Sequence, residues 1–150
     1  MQALSLRELE QQARERLDPA VYDFFAGGAD DELTLRANEA AFARIGLVPR
    51  VLRGGGRPRL EVELLSSRAS MPVVIAPTAF HRLAHPDGER ATARAAAAAG
   101  TVMIASMAST VAIEEIAAAV PGPWFQLYIQ PDLGFTETVV RRAEAAGCAA

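Results

Sequence analysis

The 150-residue sequence contains no lysine; all 15 of its basic side chains are arginine. Without a side-chain amine, nothing in it can form a Schiff base with a carbonyl substrate or with pyridoxal phosphate. Cysteine is almost absent as well. Cys148 stands alone, which excludes a disulfide framework or a thiolate metal site within the chain. A single thiol at a strand start reads as a small buried apolar group, and no metal is expected. Positive charge is not in excess: the net charge of −3 gives no reason to expect a nucleic-acid partner. The N-terminal stretch "MQALSLRELEQQARERL" alternates charged and apolar residues and has no apolar core of a signal peptide, so the expected location is cytoplasmic.

One segment lacks charge altogether. From Ala95 to Ile113 no Asp, Glu, Arg or Lys occurs, over about the length that crosses a bilayer. Its residues are mainly Ala, Ser, Thr and Met, however, and Gly100 and Ser109 sit where a helix stop and a helix start belong. A helix–strand–helix run is expected there, and no membrane segment.

Half of the sequence is hydrophobic, enough for one core. Ser5 followed by Glu8 is a capping box, with Leu4 placed as a hydrophobic staple, and predicts a helix to about Leu17. Asp18-Pro19 starts a second helix, which carries Val21, Tyr22, Phe24 and Phe25 and stops at Gly27-Gly28. A third is expected from Asp30, with Asp31 and Glu32 in its first turn, to near Gly46. "RVLRGGGRPR" from Arg50 to Arg59 is a turn-rich connector. Its three glycines are no phosphate loop, since no strand leads in and no helix follows. "LEVELL" then alternates like an exposed strand or hairpin arm.

From Met71 the pattern changes. "MPVVIAPT" is a continuous apolar run, as expected of a parallel strand buried on both faces. Strand starts near Met71, Thr101, Trp124 and Cys148 recur every 23 to 30 residues, with helical segments between them. That period means right-handed βαβ units and a parallel sheet. A doubly wound nucleotide fold places a glycine-rich turn after its first strand. Here "APTAFHRLAHPDGE" has no glycine before Gly88, which favours a (β/α)8 barrel. A complete barrel takes about 250 residues, so the expected fold class is α/β: the N-terminal part of a (β/α)8 TIM barrel, preceded by short helices and cut at the fourth strand.

Active sites of such barrels lie at the C-terminal ends of the strands. Ala76-Pro77-Thr78-Ala79 follow the first strand, Ser106 ends the second, and Gln126 and Tyr128 lie on the third. In "WFQLYIQPD" successive side chains point to opposite faces, so Phe125, Leu127 and Ile129 share a core face while Trp124, Gln126, Tyr128 and Gln130 share the other. An amide and a phenol two residues apart suit the polar edge of a planar ligand, and a glutamine matches an imide-like edge of alternating C=O and N–H. A water-filled polar layer inside the barrel is the alternative.

"YDFFAGGADDELTLRANEAAF", "MPVVIAPTAFHRLAHPDGERATARAAAAAGT", "SMASTVAIEEIA" and "WFQLYIQPD" together resemble the FMN-dependent 2-hydroxy-acid oxidases and dehydrogenases, which include glycolate oxidase, lactate oxidase and mandelate dehydrogenase. The likeness runs through nearly the whole chain in order. It implies residues 1–70 as N-terminal helices with a connector and hairpin arm, and 71–150 as the first βα units of an FMN-binding barrel. It implies that Pro77, Thr78 and Ala79 line a flavin face through their backbone, with the Ala79 N–H towards N5. Ser106 and Gln126 would bond the pyrimidine edge of the isoalloxazine. Tyr128 would act in catalysis at the carboxylate or hydroxyl of the substrate, and Phe80 would sit near the substrate side chain. A general-base histidine, a carboxylate-binding arginine and a lysine beside flavin N1 are expected further along than residue 150; His81 and His85 are read as structural.

Two departures from the family pattern bear on the substrate. Phe24 stands where many members carry a tyrosine that helps hold the carboxylate. Met107-Ala108 stands where a bulky aromatic is common. The lost hydroxyl removes one polar contact and Ala108 opens space, which points to an aryl substrate and to the bacterial mandelate or 4-hydroxymandelate oxidases. The resemblance also implies O2 as electron acceptor and a homo-oligomer, a tetramer. A lactate-type dehydrogenase passing electrons to quinone or cytochrome, a truncated non-catalytic module, and a different FMN- or phosphate-binding barrel are the competing readings.

Overall fold

A computed structural model describes residues 3–65 and 67–150, and the chain divides into two compact units between Arg57 and Pro58. The boundary falls inside the arginine- and glycine-rich connector.

The first unit holds three helices. Helix α1 (Leu6–Arg16) begins where the capping box places it: Glu8 N–H donates to Ser5 Oγ at 3.2 Å, while the Glu8 carboxylate accepts from Leu4 N–H at 2.7 Å. The staple does not form. Leu4 is 90 % exposed, with its backbone rather than its side chain fixing the helix entry. Helix α2 (Pro19–Ala26) has Asp18 accepting from Ala20 N–H and Gly27 at its end, as expected. Helix α3 (Leu33–Ala43) starts three residues later than the acidic run suggested. Asp30 and Glu32 take left-handed backbone angles, φ 47° and 56°, and the Glu32 carboxylate accepts from Gly28 N–H at 3.0 Å. These acids therefore close the turn between the helices instead of forming the first helical turn.

The second unit opens with a hairpin, β1 (Val62–Leu64) against β2 (Ser67–Ala69), antiparallel with Val62 opposite Ala69. The "LEVELL" arm is thus a hairpin arm. The first expected barrel strand is reduced to a single parallel bridge between Ile75 and Met103, in which Ile75 N–H donates to Val102 O and Ile104 N–H to Ile75 O. Pro72 and Pro77 flank that bridge and have no N–H to extend it. Nor is the run buried on both faces: Val73 is 61 % exposed.

Helix α4 (Glu89–Ala99) follows and ends at Gly100, whose φ of 63° suits a residue without a Cβ. Strand β3 (Ile104–Ser106) pairs in parallel with β4 (Trp124–Gln126), placing Ser106 opposite Gln126. Helix α5 (Ile113–Ala119) connects them, and α6 (Leu133–Ala145) follows β4. The charge-free stretch is therefore helix, strand and helix start. Among the described residues no helix is long and apolar enough to cross a membrane. At the far end, Ala149 N–H donates to Pro123 O and Phe125 N–H to Ala150 O, so the backbone after Cys148 lies along β4 as a fourth strand would.

The core lies between these layers: Ala93, Ala96, Met103, Ala105, Val111, Ile113, Ile116 and Val120. Alanines at 93 and 96 are fully buried, so the small face of α4 lets α5 approach closely. Burying the Ile116 side chain completely contributes about 1.5–3 kcal/mol. Cys148 packs against this core half-buried, and burial first, then the nearby Glu114 charge, pushes its thiol pKa up. It packs as a small apolar group, as expected, but is only partly buried.

Candidate active site at the strand ends

The C-terminal ends of β3 and β4 bring Ser106 and Gln126 together. Ser106 is 5 % exposed, and its hydroxyl donates to Gln126 Oε1 at 3.0 Å while accepting from Ala108 N–H at 3.1 Å. Gln126 spends its amide oxygen and its backbone carbonyl, which accepts from Met107 N–H, on this corner. Its Nε2 donors have no hydrogen-bond partner among the described residues. A buried hydroxyl and a free amide N–H2 side by side fit the imide edge of a flavin.

The loop after Ile75 reaches the same corner. Phe80 N–H donates to Ala108 O at 3.1 Å, so Phe80, Ala108, Ser106 and Gln126 form one connected hydrogen-bond run. Phe80 has a φ of 57°, a conformation worth about 1–3 kcal/mol of strain for a residue with a Cβ. It heads a single turn of 3-10 helix at His81–Leu83, and Leu83 N–H closes that turn onto Phe80 O. Pro77 and Thr78 are exposed and Ala79 half-buried just before it, with the Thr78 hydroxyl only 3.5 Å from Ala76 O.

Tyr128 is not on a strand. β4 ends at Gln126, and Tyr128 lies two residues beyond, 58 % exposed, with Gln130 Nε2 donating to its carbonyl at 3.2 Å. Its ring belongs to the rim of the strand ends and not to the core. The other end of the same face is also polar: Trp124 Nε1 donates to Ser67 Oγ of the hairpin at 3.0 Å. Phe24 belongs to the first unit, where its ring packs edge-on to Phe25 with centroids 5.1 Å apart. Both histidines are engaged. His81 Nδ1 is 3.1 Å from Thr92 Oγ1, and His85 Nδ1 accepts from Asp87 N–H at 3.2 Å. No group of His, Cys, Asp or Glu among the described residues could hold a metal ion.

One residue at this corner is not among those expected from the sequence. Glu89, fully buried at the start of α4, accepts from His81 N–H at 3.2 Å, Thr110 N–H at 2.8 Å and the Thr110 hydroxyl at 2.6 Å. Burial is the largest single influence on its carboxyl and raises the pKa; the hydrogen bonds from Thr110, from its own N–H and from His81 together outweigh it and hold the value below the ordinary one. The same loop explains why α5 begins at Ile113 and not at Ser109. The Ser109 hydroxyl donates to Ser106 O at 2.6 Å and Thr110 is held by Glu89, so neither caps the helix.

Residues 13–150 match the family of FMN-dependent dehydrogenases. The chain belongs to that family. It is 46 % identical over 144 residues to glycolate oxidase 3 of Oryza sativa subsp. indica, covering 95 % of this chain and 39 % of that protein. It is 45 % identical over 148 residues to glycolate oxidase of Spinacia oleracea, with 98 % and 40 % covered. The crystal structure of mandelate oxidase with (S)-4-hydroxymandelic acid superposes with a TM-score of 0.94 at 44 % identity, over 97 % of this chain and 41 % of the other. The chain thus spans about two-fifths of the length of the curated relatives it matches. Its fold is the N-terminal part of the (β/α)8 barrel, preceded by short helices, and the cofactor of the family is FMN.

Proposed function

We propose that the protein to which this chain belongs is an FMN-dependent oxidase of 2-hydroxy acids, acting on mandelate or 4-hydroxymandelate with O2 as electron acceptor, as a cytoplasmic homo-oligomer. The observation that carries the reading is the Ser106–Gln126 pair at the ends of β3 and β4, its serine buried, joined through Ala108 to Phe80. When bound, FMN supplies the acceptor for the hydride equivalent that the 2-hydroxy carbon loses on becoming a 2-oxo carbon.

The residues of this chain bind and orient. Ser106 and Gln126 hold the pyrimidine edge, and the backbone of Pro77, Thr78 and Ala79 lines one face of the ring. Tyr128, on the exposed rim, meets the carboxylate end of the substrate and favours the charge that develops there. Phe80 offers apolar surface to an aryl ring, and the methyl of Ala108 leaves room for it. The likeness to a mandelate oxidase crystallised with (S)-4-hydroxymandelic acid supports the aryl reading; the likeness to glycolate oxidases favours a smaller substrate.

The test is steady-state kinetics of the full-length flavoprotein on mandelate and lactate. Mandelate should show the higher kcat/KM. Ala108→Trp should penalise mandelate far more than lactate, since only the larger substrate needs the space, whereas Tyr128→Phe should slow both. Equal losses on both substrates for Ala108→Trp would remove the aryl assignment.

A further inference from the structure

We propose that Glu89 is a positioning residue for this active site: its buried carboxylate sets the register between the loop that carries Ala79 and Phe80 and the loop that carries Ala108, just after Ser106 at the end of β3. The inference rests on the flavin-dependent reading above.

The two loops follow different strands and have no covalent reason to keep step. Residues 79–82 come after the Ile75 bridge, and residues 107–110 come after β3. Glu89 belongs to neither loop. From the first turn of α4 its Oε1 accepts from His81 N–H at 3.2 Å and from Thr110 N–H at 2.8 Å, while Oε2 takes the Thr110 hydroxyl at 2.6 Å. The Thr110 oxygen in turn accepts from Arg82 N–H at 3.3 Å. The tie lies just behind the only residue of the first loop with positive φ: Phe80 is fixed on its own N–H by Ala108 O, and on the next N–H by Glu89. Shifting either loop by about 1 Å breaks hydrogen bonds to an oxygen pair that no water reaches, since Glu89 has 0 % exposure.

The backbone leading to Glu89 is built for this contact. Gly88 has φ 53° and ψ −137°, and a Cβ there would lie 2.7 Å from Arg82 Cγ and 3.3 Å from Thr110 Oγ1. The two loops and the helix start therefore meet at a point where only glycine fits. A carboxylate is required at the centre because the groups around it are all donors. An amide would either face the His81 and Thr110 N–H groups with its own N–H2 or leave the Thr110 hydroxyl without its acceptor.

A residue that only stabilised the fold would change how much flavoprotein is obtained and when it melts. A residue that registers these loops changes how each loaded molecule handles substrate. The experiment is kinetics of full-length Glu89→Gln and Thr110→Val on mandelate and lactate, per bound flavin, with the visible flavin spectrum; Thr110→Ser is the conservative control. A loop misplaced by about 1 Å costs up to about 100-fold in rate. Expected in both variants are a shifted flavin band, a raised KM, and a mandelate-to-lactate kcat/KM ratio changed by about tenfold or more, with Thr110→Ser restoring wild-type values. Wild-type KM, ratio and spectrum per bound flavin, whatever the change in Tm, would overturn the proposal. If Glu89→Gln does not fold, Thr110→Val decides alone on the same readouts. A wild-type protein that binds no flavin would overturn the oxidase reading and this one together; a yellow wild type with unaltered variants overturns this one only.

Discussion

Replacing Gln126 by leucine tests the centre of the proposed flavin site. Leucine keeps the volume and leaves the backbone contact from Met107 N–H to residue 126 O intact. What it removes is the amide. The Ser106 hydroxyl, 5 % exposed, loses the acceptor that now lies 3.0 Å away and retains only the bond it receives from Ala108 N–H. With FMN bound, the imide edge also loses the Nε2 donor. One unsatisfied polar group in a buried site costs about 1–3 kcal/mol. At 1.4 kcal/mol per tenfold, the FMN dissociation constant should rise by roughly 5- to 150-fold.

The assay is titration of the full-length apoprotein with FMN, followed by flavin fluorescence. A second variant separates flavin contact from internal strain. In Ser106→Ala/Gln126→Leu the orphaned hydroxyl is gone, so folding stability should recover part of the loss while FMN affinity stays low. An unchanged dissociation constant in Gln126→Leu refutes the placement of Gln126 at the flavin. If the double variant recovers affinity as well as stability, the pair is an internal hydrogen bond and nothing more.

Three further outcomes follow from the same geometry. Gly88→Ala should cost about 1–3 kcal/mol in equilibrium urea unfolding, from a positive φ that a Cβ disfavours and from the close Arg82 side chain; an unchanged midpoint would contradict the crowding. The Glu89 carboxyl is held below its ordinary value, so it contributes stability above its unfolded-state pKa and loses it as pH falls through the lower folded one. The Tm gap between wild type and Glu89→Gln should therefore be widest near neutrality and close in acid, and a gap that widens in acid would reverse the sign of the argument. Asp132 accepts from Gly134 N–H at 2.9 Å and Phe135 N–H at 3.2 Å, so Asp132→Ala should cost about 1 kcal/mol and speed amide exchange at Phe135.

How far the sequence could be read depended on the range of each interaction. Ser5–Glu8 and Asp18-Pro19 are caps whose partners lie within four residues, and both helix starts fell where they were expected. The parallel β3–β4 pair follows from the spacing of apolar runs, and with it the facing of Ser106 and Gln126. The errors came where a polar side chain near an expected helix start had a competing partner. Glu32 turns back to Gly28, and Ser109 bonds Ser106, so α3 and α5 begin later than their compositions suggest. The reach of β4 was overestimated for a different reason. Alternation continues through Tyr128, but backbone pairing stops at Gln126, and period-two patterning does not register where a ladder ends.

Glu89 is the instructive omission. An acid in the first turn of an alanine-rich helix is the ordinary complement to the helix dipole, and such residues are usually solvated. Its main partner, Thr110, is 21 residues away. The one local hint is Gly88, because a glycine immediately before a helix start, where Ser or Asp would cap better, implies that space and not capping decided the residue. A cap side chain at 88 would have run into Arg82 and Thr110, the same loops that Glu89 joins. The glycine therefore marks the meeting point that the carboxylate fills. The polar groups that face the ligand in this proposal, Ser106 and Gln126, lie on strands and are legible by period, whereas the group that aligns the loops around them is specified only by tertiary contact.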